Sequence, residues 1–170
     1  MTEMTGVRRA VVSTPSDHEI RIVREFDAPA ALVFRAWTTP ELVARWWHAD
    51  KGSVTSIDID LRVGGKWRYV MVATGGFEVA FHGEYREIEP NARLVTTEVY
   101  EGAPDDEAVT TTTFEDVDGG SRVQILVRHA TPTARDAHLQ SGMEEGLQRA
   151  LELLDELAGS ESVKGARRAP

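Results

Sequence analysis

The chain has 170 residues, a length typical of one domain, and its 41% of apolar residues suffices for a hydrophobic core. It has no cysteine, which excludes disulfides, thiolate metal sites and cysteine nucleophiles. The formal net charge of -9 argues against nucleic acid or an anionic membrane as the main partner. No apolar run has the length of a membrane span or of a signal peptide core, so we expect a cytoplasmic protein that is not integral to a membrane.

The N-terminal part of the chain is predicted to contain a leader and one strand. Residues 1–17 show no apolar periodicity and predict a disordered leader, in which Val11 and Val12 could form a short edge strand. Apolar and polar residues alternate from Glu19 to Phe26, which is typical of a strand with one buried face. Arg24 interrupts that face, either as a charge at the mouth of the core or as an anchor for a ligand.

Two short helices are predicted next, because two prolines each follow residues that can cap a helix. Pro29 comes after Asp27-Ala28, and Pro40 comes after Thr38-Thr39. The residues that recur at helical spacing are Leu32, Val33, Ala36 and Trp37 in the first helix and Leu42, Val43, Trp46 and Trp47 in the second. The proline between them predicts a helical V rather than one rod.

From Ser53 to His129 the pattern changes to the period of two that is typical of strands. Turn or loop residues separate six such strands: Gly64-Gly65, Gly75-Gly76, Pro90-Asn91, the stretch from Gly102 to Asp106, and Asp118-Gly119-Gly120. Short connections between successive strands favour an antiparallel meander.

The stretch from Thr131 to Gly159 predicts one long amphipathic helix of about 40 Å. Thr131 provides a cap, Pro132 the first helical position and Gly159 the stop. The apolar stripe consists of Leu139, Met143, Leu147, Ala150, Leu151, Leu154 and Leu157. Gly142 and Gly146 thin the helix where it meets the sheet, either for close backbone packing or to leave room for a ligand.

Several short stretches of the sequence resemble a known superfamily. They are Arg24-Glu25-Phe26-Asp27-Ala28-Pro29, Val33-Phe34-Arg35-Ala36-Trp37, Pro40-Glu41-Leu42 with Trp46-Trp47, Asp60 to Arg68, and Gly83-Glu84-Tyr85. Together they resemble the helix-grip (SRPBCC) superfamily of START domains, polyketide cyclases and birch-pollen allergens. Within it the chain is most similar to the family named after the activator of the heat-shock protein 90 ATPase. Met143 departs from the pattern, since many members carry tryptophan after the glycine.

The resemblance, which covers residues 19–159, implies an α+β helix-grip fold. A curved antiparallel sheet of about seven strands would wrap around the long C-terminal helix, with two short helices after the first strand and a cavity between sheet and helix. We expect one domain over residues 18–159, between the leader 1–17 and a disordered tail at 160–170. The full activator has a second domain that we do not find in this sequence, so its co-chaperone activity is not expected to carry over.

Motifs for catalysis or metal binding are sparse. The sequence has no Gly-x-Ser-x-Gly elbow, phosphate-binding loop or His-Glu-x-x-His motif. His48 and Asp50 could supply two metal ligands, but a site needs three or four, so we interpret them as a loop and expect no metal and no cofactor. His82 should point away from the cavity, because it alternates with Phe81.

The candidate ligand-binding residues are walls and polar anchors of the expected cavity. The walls are Trp46, Trp67, Tyr69, Phe81, Tyr85, Met143 and Leu147, and the polar anchors are Arg24 and His129. Singly, each aromatic residue could be ordinary core, but as a set they favour a pocket.

We therefore expect a protein that binds a small or medium hydrophobic molecule, such as a lipid, a polyketide or an aromatic compound. One alternative is a cyclase- or dehydratase-like enzyme that uses His129 or Tyr85 for proton transfer. Another is a protein that regulates a chaperone by direct contact. Homodimerisation through a sheet edge or a helix is compatible with each of these hypotheses.

Overall fold

The sheet and helices follow the alternating and helical patterns of the sequence. The computed structural model describes residues 8–168, with side chains for residues 8–161. The strands are β1 (Val11–Ser13), β2 (Glu19–Phe26), β3 (Gly52–Ile59), β4 (Lys66–Ala73), β5 (Glu78–Glu89), β6 (Arg93–Tyr100), β7 (Glu107–Val117) and β8 (Gly120–His129). The helices are α1 (Ala30–Thr38), α2 (Pro40–Trp46), α3 (Pro132–Gln140) and α4 (Met143–Arg168).

The described residues form one antiparallel sheet in the order β1-β2-β8-β7-β6-β5-β4-β3. The predicted meander is present as β3 to β8, and β2 adds to it by pairing with β8. The register shifts in β3 between Val54 and Ser56 and in β5 between Tyr85 and Glu87, and such bulges bend a sheet. The α+β class and the helix-grip arrangement are thus confirmed. No helix of the described part of the chain is long and apolar enough to cross a membrane.

Part of the predicted leader is ordered. β1 pairs with β2, with Val11 opposite Val23, and adds an eighth strand at the sheet edge. Just before it, the Ala10 N–H donates to Gln148 Oε1 and the Gln148 amide donates back to the Ala10 carbonyl, both at 2.8 Å. The prediction of disorder is therefore wrong for residues 8–17, because a buried amide on α4 satisfies this backbone. Residues 1–7 lie outside the described range.

The single C-terminal helix of the sequence prediction is two helices. α3 begins at Pro132 as predicted, and the Thr131 hydroxyl caps it by accepting from the Ala134 N–H at 3.1 Å. It ends at Gln140, because Gly142 has a φ of 83°, which a continuing helix cannot accommodate. α4 then continues through Gly159, so the predicted stop is wrong and residues 160–168 of the predicted disordered tail are helical.

The first short helix also begins differently from the prediction. Asp27 and Ala28 do not cap it, since α1 begins at Ala30 after Pro29. The Ala30 N–H instead donates to Asp116 Oδ1 on β7 at 2.9 Å. A carboxylate from a distant strand thus takes the place of a local cap.

Two parts of α4 have different surroundings. Leu151, Leu154 and Leu157 are 6% exposed or less and belong to the main core, where α1 and α2 pack against the helix. Met143 and Leu147, in the first turns of the helix, are only partly buried and lie over a cavity above the sheet. The first turns of α4 therefore cover the cavity, and the leucines that follow anchor the helix in the core.

A buried ion pair joins this helix to the sheet. Arg24 on β2 is 3% exposed and donates from Nη1 to Asp155 Oδ2 at 2.8 Å and to the Glu25 carbonyl at 2.7 Å. Its guanidinium carbon lies 4.7 Å from the centre of the Phe26 ring. The other carboxylate oxygen of Asp155 accepts from the Asp27 N–H at 3.2 Å. Arg24 is thus committed to structure.

Removal of one partner of this pair should destabilise the fold. In the Asp155→Asn variant the buried guanidinium would lose its counter-charge, and we expect the free energy of unfolding to fall by about 3 kcal/mol, as measured by urea denaturation. The double variant R24M/D155L, which removes both charges, should recover part of that loss. Asp27→Asn, at a side chain that is 73% exposed, is the matched control and should remain near wild type. Equal stability of the wild type and the Asp155→Asn variant would contradict this role.

Candidate functional site

The main candidate site is a cavity of about 340 Å³ between the inner face of the sheet and the first half of α4. α2 and α3 contribute the remaining walls. The structure brings together seven of the residues predicted from sequence: Trp46, Trp67, Tyr69, Phe81, Tyr85, Met143 and Leu147. Additional lining residues include Trp37, Trp47, Thr96, Glu98, Thr110 and His138. This volume lies within the range of small-molecule sites.

The aromatic walls hold one another in place. The Trp47 ring meets Tyr69 and Phe81 edge-on, with centroid distances of 5.4 and 6.0 Å. Trp67 packs against Tyr69 at 4.8 Å. The Trp46 indole N–H donates to the Ala36 carbonyl at 2.9 Å, which fixes its ring against α1. Because these rings are locked by their neighbours, the cavity is largely preformed.

Gly83 on β5 makes room for this arrangement. A Cβ atom at this position would lie 1.8 Å from the Thr97 carbonyl oxygen and 2.7 Å from Trp67 Nε1. Only glycine lets the indole lie so close to the strand. The Trp67 N–H is itself buried and has no hydrogen-bond partner within the described part of the protein.

Glu98 on β6 places a carboxyl group inside the cavity. Among the described residues no side chain or backbone group makes a hydrogen bond or ion pair with it. Burial among apolar groups raises the pKa of Glu98 from 4.5 to about 7. Water can still reach the carboxyl through the cavity, so the side chain is only partly buried by accessible surface. An acid that titrates near neutral pH in an aromatic cavity is a strong candidate for a functional group.

Sequence reasoning missed Glu98 because both faces of β6 are buried. Val95, Thr97 and Val99 are 8%, 3% and 6% exposed, and they resemble the core side of the strand. The register of the sheet places them on the outer face and sends Thr96 and Glu98 inward. The sequence signal for Glu98 is the alternation of Leu94, Thr96 and Glu98, which places these three side chains on one face of β6.

Hydroxyl groups provide further polarity in the cavity. Thr110 Oγ1 is buried without a partner in the described part of the protein. Burial raises the pKa of Tyr69 and of Tyr85 well above that of a free phenol, so both remain neutral hydrogen-bonding groups at physiological pH. An apolar cavity with a few unsatisfied polar groups is typical of a ligand site.

A histidine pair lies at the α3 end of the cavity. His129 Nε2 is 3.0 Å from His138 Nδ1, and it is His138 that lines the cavity. Burial lowers the pKa of both imidazoles, that of His138 to about 4, so His138 is neutral near pH 7. His129, a predicted polar anchor, therefore contacts the cavity residue His138 but does not itself line the cavity. His138 was missed because the break that orients it was not predicted.

Two further residues of the sequence analysis lie outside the cavity. Arg24, the other predicted anchor, is bound to Asp155 and is not among the cavity residues. His82 points to the outer face as expected, where its Nδ1 is 2.9 Å from Glu101 Oε2. Arg68 and then His82 lower the pKa of that carboxyl to about 2.

His48 and Asp50, in the loop after α2, have hydrogen-bond partners within the protein. Asp50 Oδ2 accepts from Arg149 Nε at 2.6 Å, which ties the loop to α4. Within the described range, no three histidine, aspartate or glutamate side chains are close enough together to hold a metal ion.

An open cleft of about 740 Å³ lies beside the cavity, between this loop, the ends of β4 and β5, and α4. It shares Ala49, Lys51 and Met71 with the cavity. Phe77 is 61% exposed at its rim. The cleft and the cavity are therefore adjacent, with the side chains of Ala49, Lys51 and Met71 between them.

The pKa of Glu98 predicts a specific pH dependence of stability. The folded chain holds this proton more tightly than the unfolded chain, so the contribution of Glu98 is fully present below about pH 4.5 and is lost as the pH rises through about 7. We expect the unfolding free energy of the wild type, relative to Glu98→Gln, to fall by roughly 2 to 3 kcal/mol across that window. Urea denaturation of both proteins from pH 4 to pH 8 measures this difference, and parallel curves would contradict it.

Comparisons with known proteins agree with this architecture. The family model described as activator of Hsp90 ATPase homolog 1-like protein matches residues 27–159. The comparison with curated proteins gives no match. A Rhodobacter sphaeroides protein of known structure is 27% identical, with a TM-score of 0.84 over 89% of this chain and 99% of that one. A Nitrosomonas europaea protein is also 27% identical, with a TM-score of 0.79 over 88% and 99%.

An AHSA1-like protein from Aeromonas hydrophila is 25% identical, with a TM-score of 0.63 over 85% of this chain and 94% of that one. The family model covers most of the sheet, both short helices and the helix that roofs the cavity. The chain therefore belongs to the activator of Hsp90 ATPase homolog 1-like family, within the SRPBCC superfamily.

Proposed function

We propose that this protein binds a small or medium hydrophobic molecule in the cavity between α4 and the sheet. The observation that carries the proposal is a preformed aromatic cavity of about 340 Å³ in which Trp67 Nε1 and Thr110 Oγ1 lack partners in the described part of the protein. The ligand class expected from sequence, an aromatic compound, polyketide or lipid, suits these walls.

The size of the cavity supports a functional role. A dry void of 340 Å³ would cost about 8 kcal/mol at the cost per volume measured for engineered cavities. That figure is comparable with the whole stability of a typical domain, which is about 5 to 15 kcal/mol. The cavity is therefore filled by water or by a ligand. Water makes poor contacts with tryptophan and phenylalanine faces, so an apolar molecule that displaces it gains free energy.

The polar groups define where such a ligand must carry hydrogen-bonding atoms. The Trp67 indole is a donor, whereas the Thr110 and Tyr85 hydroxyls can donate or accept. A hydrocarbon alone would leave these groups buried and unsatisfied, which costs about 1 to 3 kcal/mol for each. The preferred ligand is an apolar body with at least one polar group.

Filling the cavity should abolish binding without unfolding the protein. Gly146 lines the cavity on α4, and a Cβ atom there would meet only the end of the Lys51 side chain, at 3.6 Å. In Gly146→Leu the new side chain occupies the ligand space, and leucine favours the helix more than glycine does. We expect at least a tenfold weaker binding of the neutral dye N-phenylnaphthylamine, measured by fluorescence titration.

The matched control is Gly159→Ala, farther along the same helix, where a Cβ meets no atom within 4 Å. This variant should bind the dye as the wild type does. Thermal unfolding of both variants checks that the fold persists. Unchanged binding by Gly146→Leu, or no binding by the wild type, would refute the proposal.

An enzymatic role related to polyketide cyclases is a second candidate, and the position of Glu98 favours it. A carboxyl with a pKa of about 7 can remove a proton next to a carbonyl near neutral pH, and the neutral phenol of Tyr85 can donate to the resulting enolate. In this hypothesis Glu98 replaces His129 as the base.

The enzymatic hypothesis predicts that the wild type converts a polyketone to product. Chromatography of the products measures this turnover. Glu98→Gln should lower kcat at least a hundredfold, since an amide cannot accept the proton. His129→Ala, outside the cavity, should retain most of the activity. Absence of turnover by the wild type would leave ligand binding as the function.

A further inference from the structure

We propose that the cavity selects hydrophobic amines, and that the ammonium group of the ligand pairs with the carboxylate of Glu98. This inference rests on the proposed function, ligand binding in the cavity, and specifies its ligand class. Among the described residues that line the cavity, Glu98 is the only one with an acidic side chain.

The sheet leaves open space around this carboxyl. The register that pairs His82 with Val99 and Tyr85 with Thr96 places Gly83 opposite Glu98 on β5. On the other side Glu98 pairs with Ala108 of β7. Both neighbours are small, so no cross-strand side chain covers the carboxyl, and a ligand group can reach it from the cavity.

No charge of the described protein neutralises Glu98 when it ionises. Its pKa is raised by burial alone, with no contribution from a nearby cation. Lys51 lines both the cavity and the outer cleft, and it makes no contribution to the pKa of Glu98. His138 faces the cavity from α3 but remains neutral near pH 7. A cationic ligand would therefore supply the missing counter-charge.

The walls suit the rest of such a ligand. An ammonium group is attracted to the faces of aromatic rings, most strongly to tryptophan, and Trp67 packs beside Tyr69 on the strand next to Gly83. Thr96 and Thr110 bring hydroxyl oxygens that can accept further ammonium hydrogens. The apolar part of the ligand would occupy the space under Met143 and Leu147.

The test compares three probes with the same indole body: tryptamine, tryptophol and indolepropionic acid. Isothermal titration calorimetry at pH 8 should give a Kd for tryptamine at least tenfold lower than that for tryptophol, and the acid should bind most weakly. In Glu98→Gln the preference for tryptamine should disappear, whereas tryptophol should bind within about threefold of wild type. Glu107→Gln, the same substitution at an exposed position, is the matched control.

The pH dependence provides a second readout. Tryptamine stays protonated throughout, so its affinity should follow ionisation of Glu98 and fall about tenfold between pH 8 and pH 6. The other titratable side chains of the cavity wall are Tyr69, Tyr85, His138, His48 and Lys51. Burial raises the pKa of Tyr69 and Tyr85 well above this interval and lowers the pKa of His138 to about 4. Glu98→Gln retains all five of these side chains and should show no fall in affinity, which assigns the fall to Glu98.

The outcomes separate this inference from the proposed function. Equal affinity for tryptamine and tryptophol, or a preference that survives Glu98→Gln, would overturn the amine assignment and leave ligand binding intact. Failure of all three probes and of N-phenylnaphthylamine to bind the folded wild type would overturn both.

Discussion

The buried pair of Arg24 and Asp155 sets the geometry on which the rest of the structure depends. A guanidinium that is 3% exposed is costly to bury without a counter-charge, and Asp155 supplies that charge, so the pair holds the middle of α4 next to β2. The leucines around Asp155 complete the contact with α1 and α2. From this fixed point the first half of α4 extends over the remaining strands without filling the space above them.

That unfilled space has two kinds of boundary. The rings of Trp47, Tyr69 and Phe81 support one another, so the apolar walls do not collapse inward when the cavity holds only water. Gly83 and Ala108 create a gap beside Glu98, where the cost of burying a carboxylate remains uncompensated by the protein. Rigid apolar walls and an uncompensated acid together give the cavity a shape and a polarity before any ligand arrives.

The overall fold could be predicted because its signals are local. Alternation identifies the strands, prolines mark the helix starts, and the Thr131 cap acts within one turn. The aromatic walls could be predicted for the same reason, since the parity of β4 and β5 sends them inward. The edge strand β1 was underrated because its support comes from Gln148, which is 138 residues from Ala10 in the chain.

The polar part of the site could not be predicted so well, because it depends on partners distant in sequence. Arg24 looked available for a ligand until Asp155, 131 residues later, was brought against it. The alternation along β8 suggests that His129 points into the cavity. In the structure His129 contacts His138 of α3, and it is His138 that lines the cavity. The inward position of Glu98 is not evident from the sequence, because the apolar residues Val95 and Val99 of β6 lie on the outer face of the sheet.

The interruption at Gly142 separates α3 from the part of α4 that belongs to the core. Leu151, Leu154 and Leu157 of α4 lie in the core, whereas His138 of α3 and Met143 and Leu147 in the first turns of α4 line the cavity. Because a single left-handed residue joins the two helices, changes in α3 are not transmitted along a continuous helix to the core. Substitutions in α3 can therefore change the shape and polarity of the cavity while the packing of the core leucines on α4 stays the same.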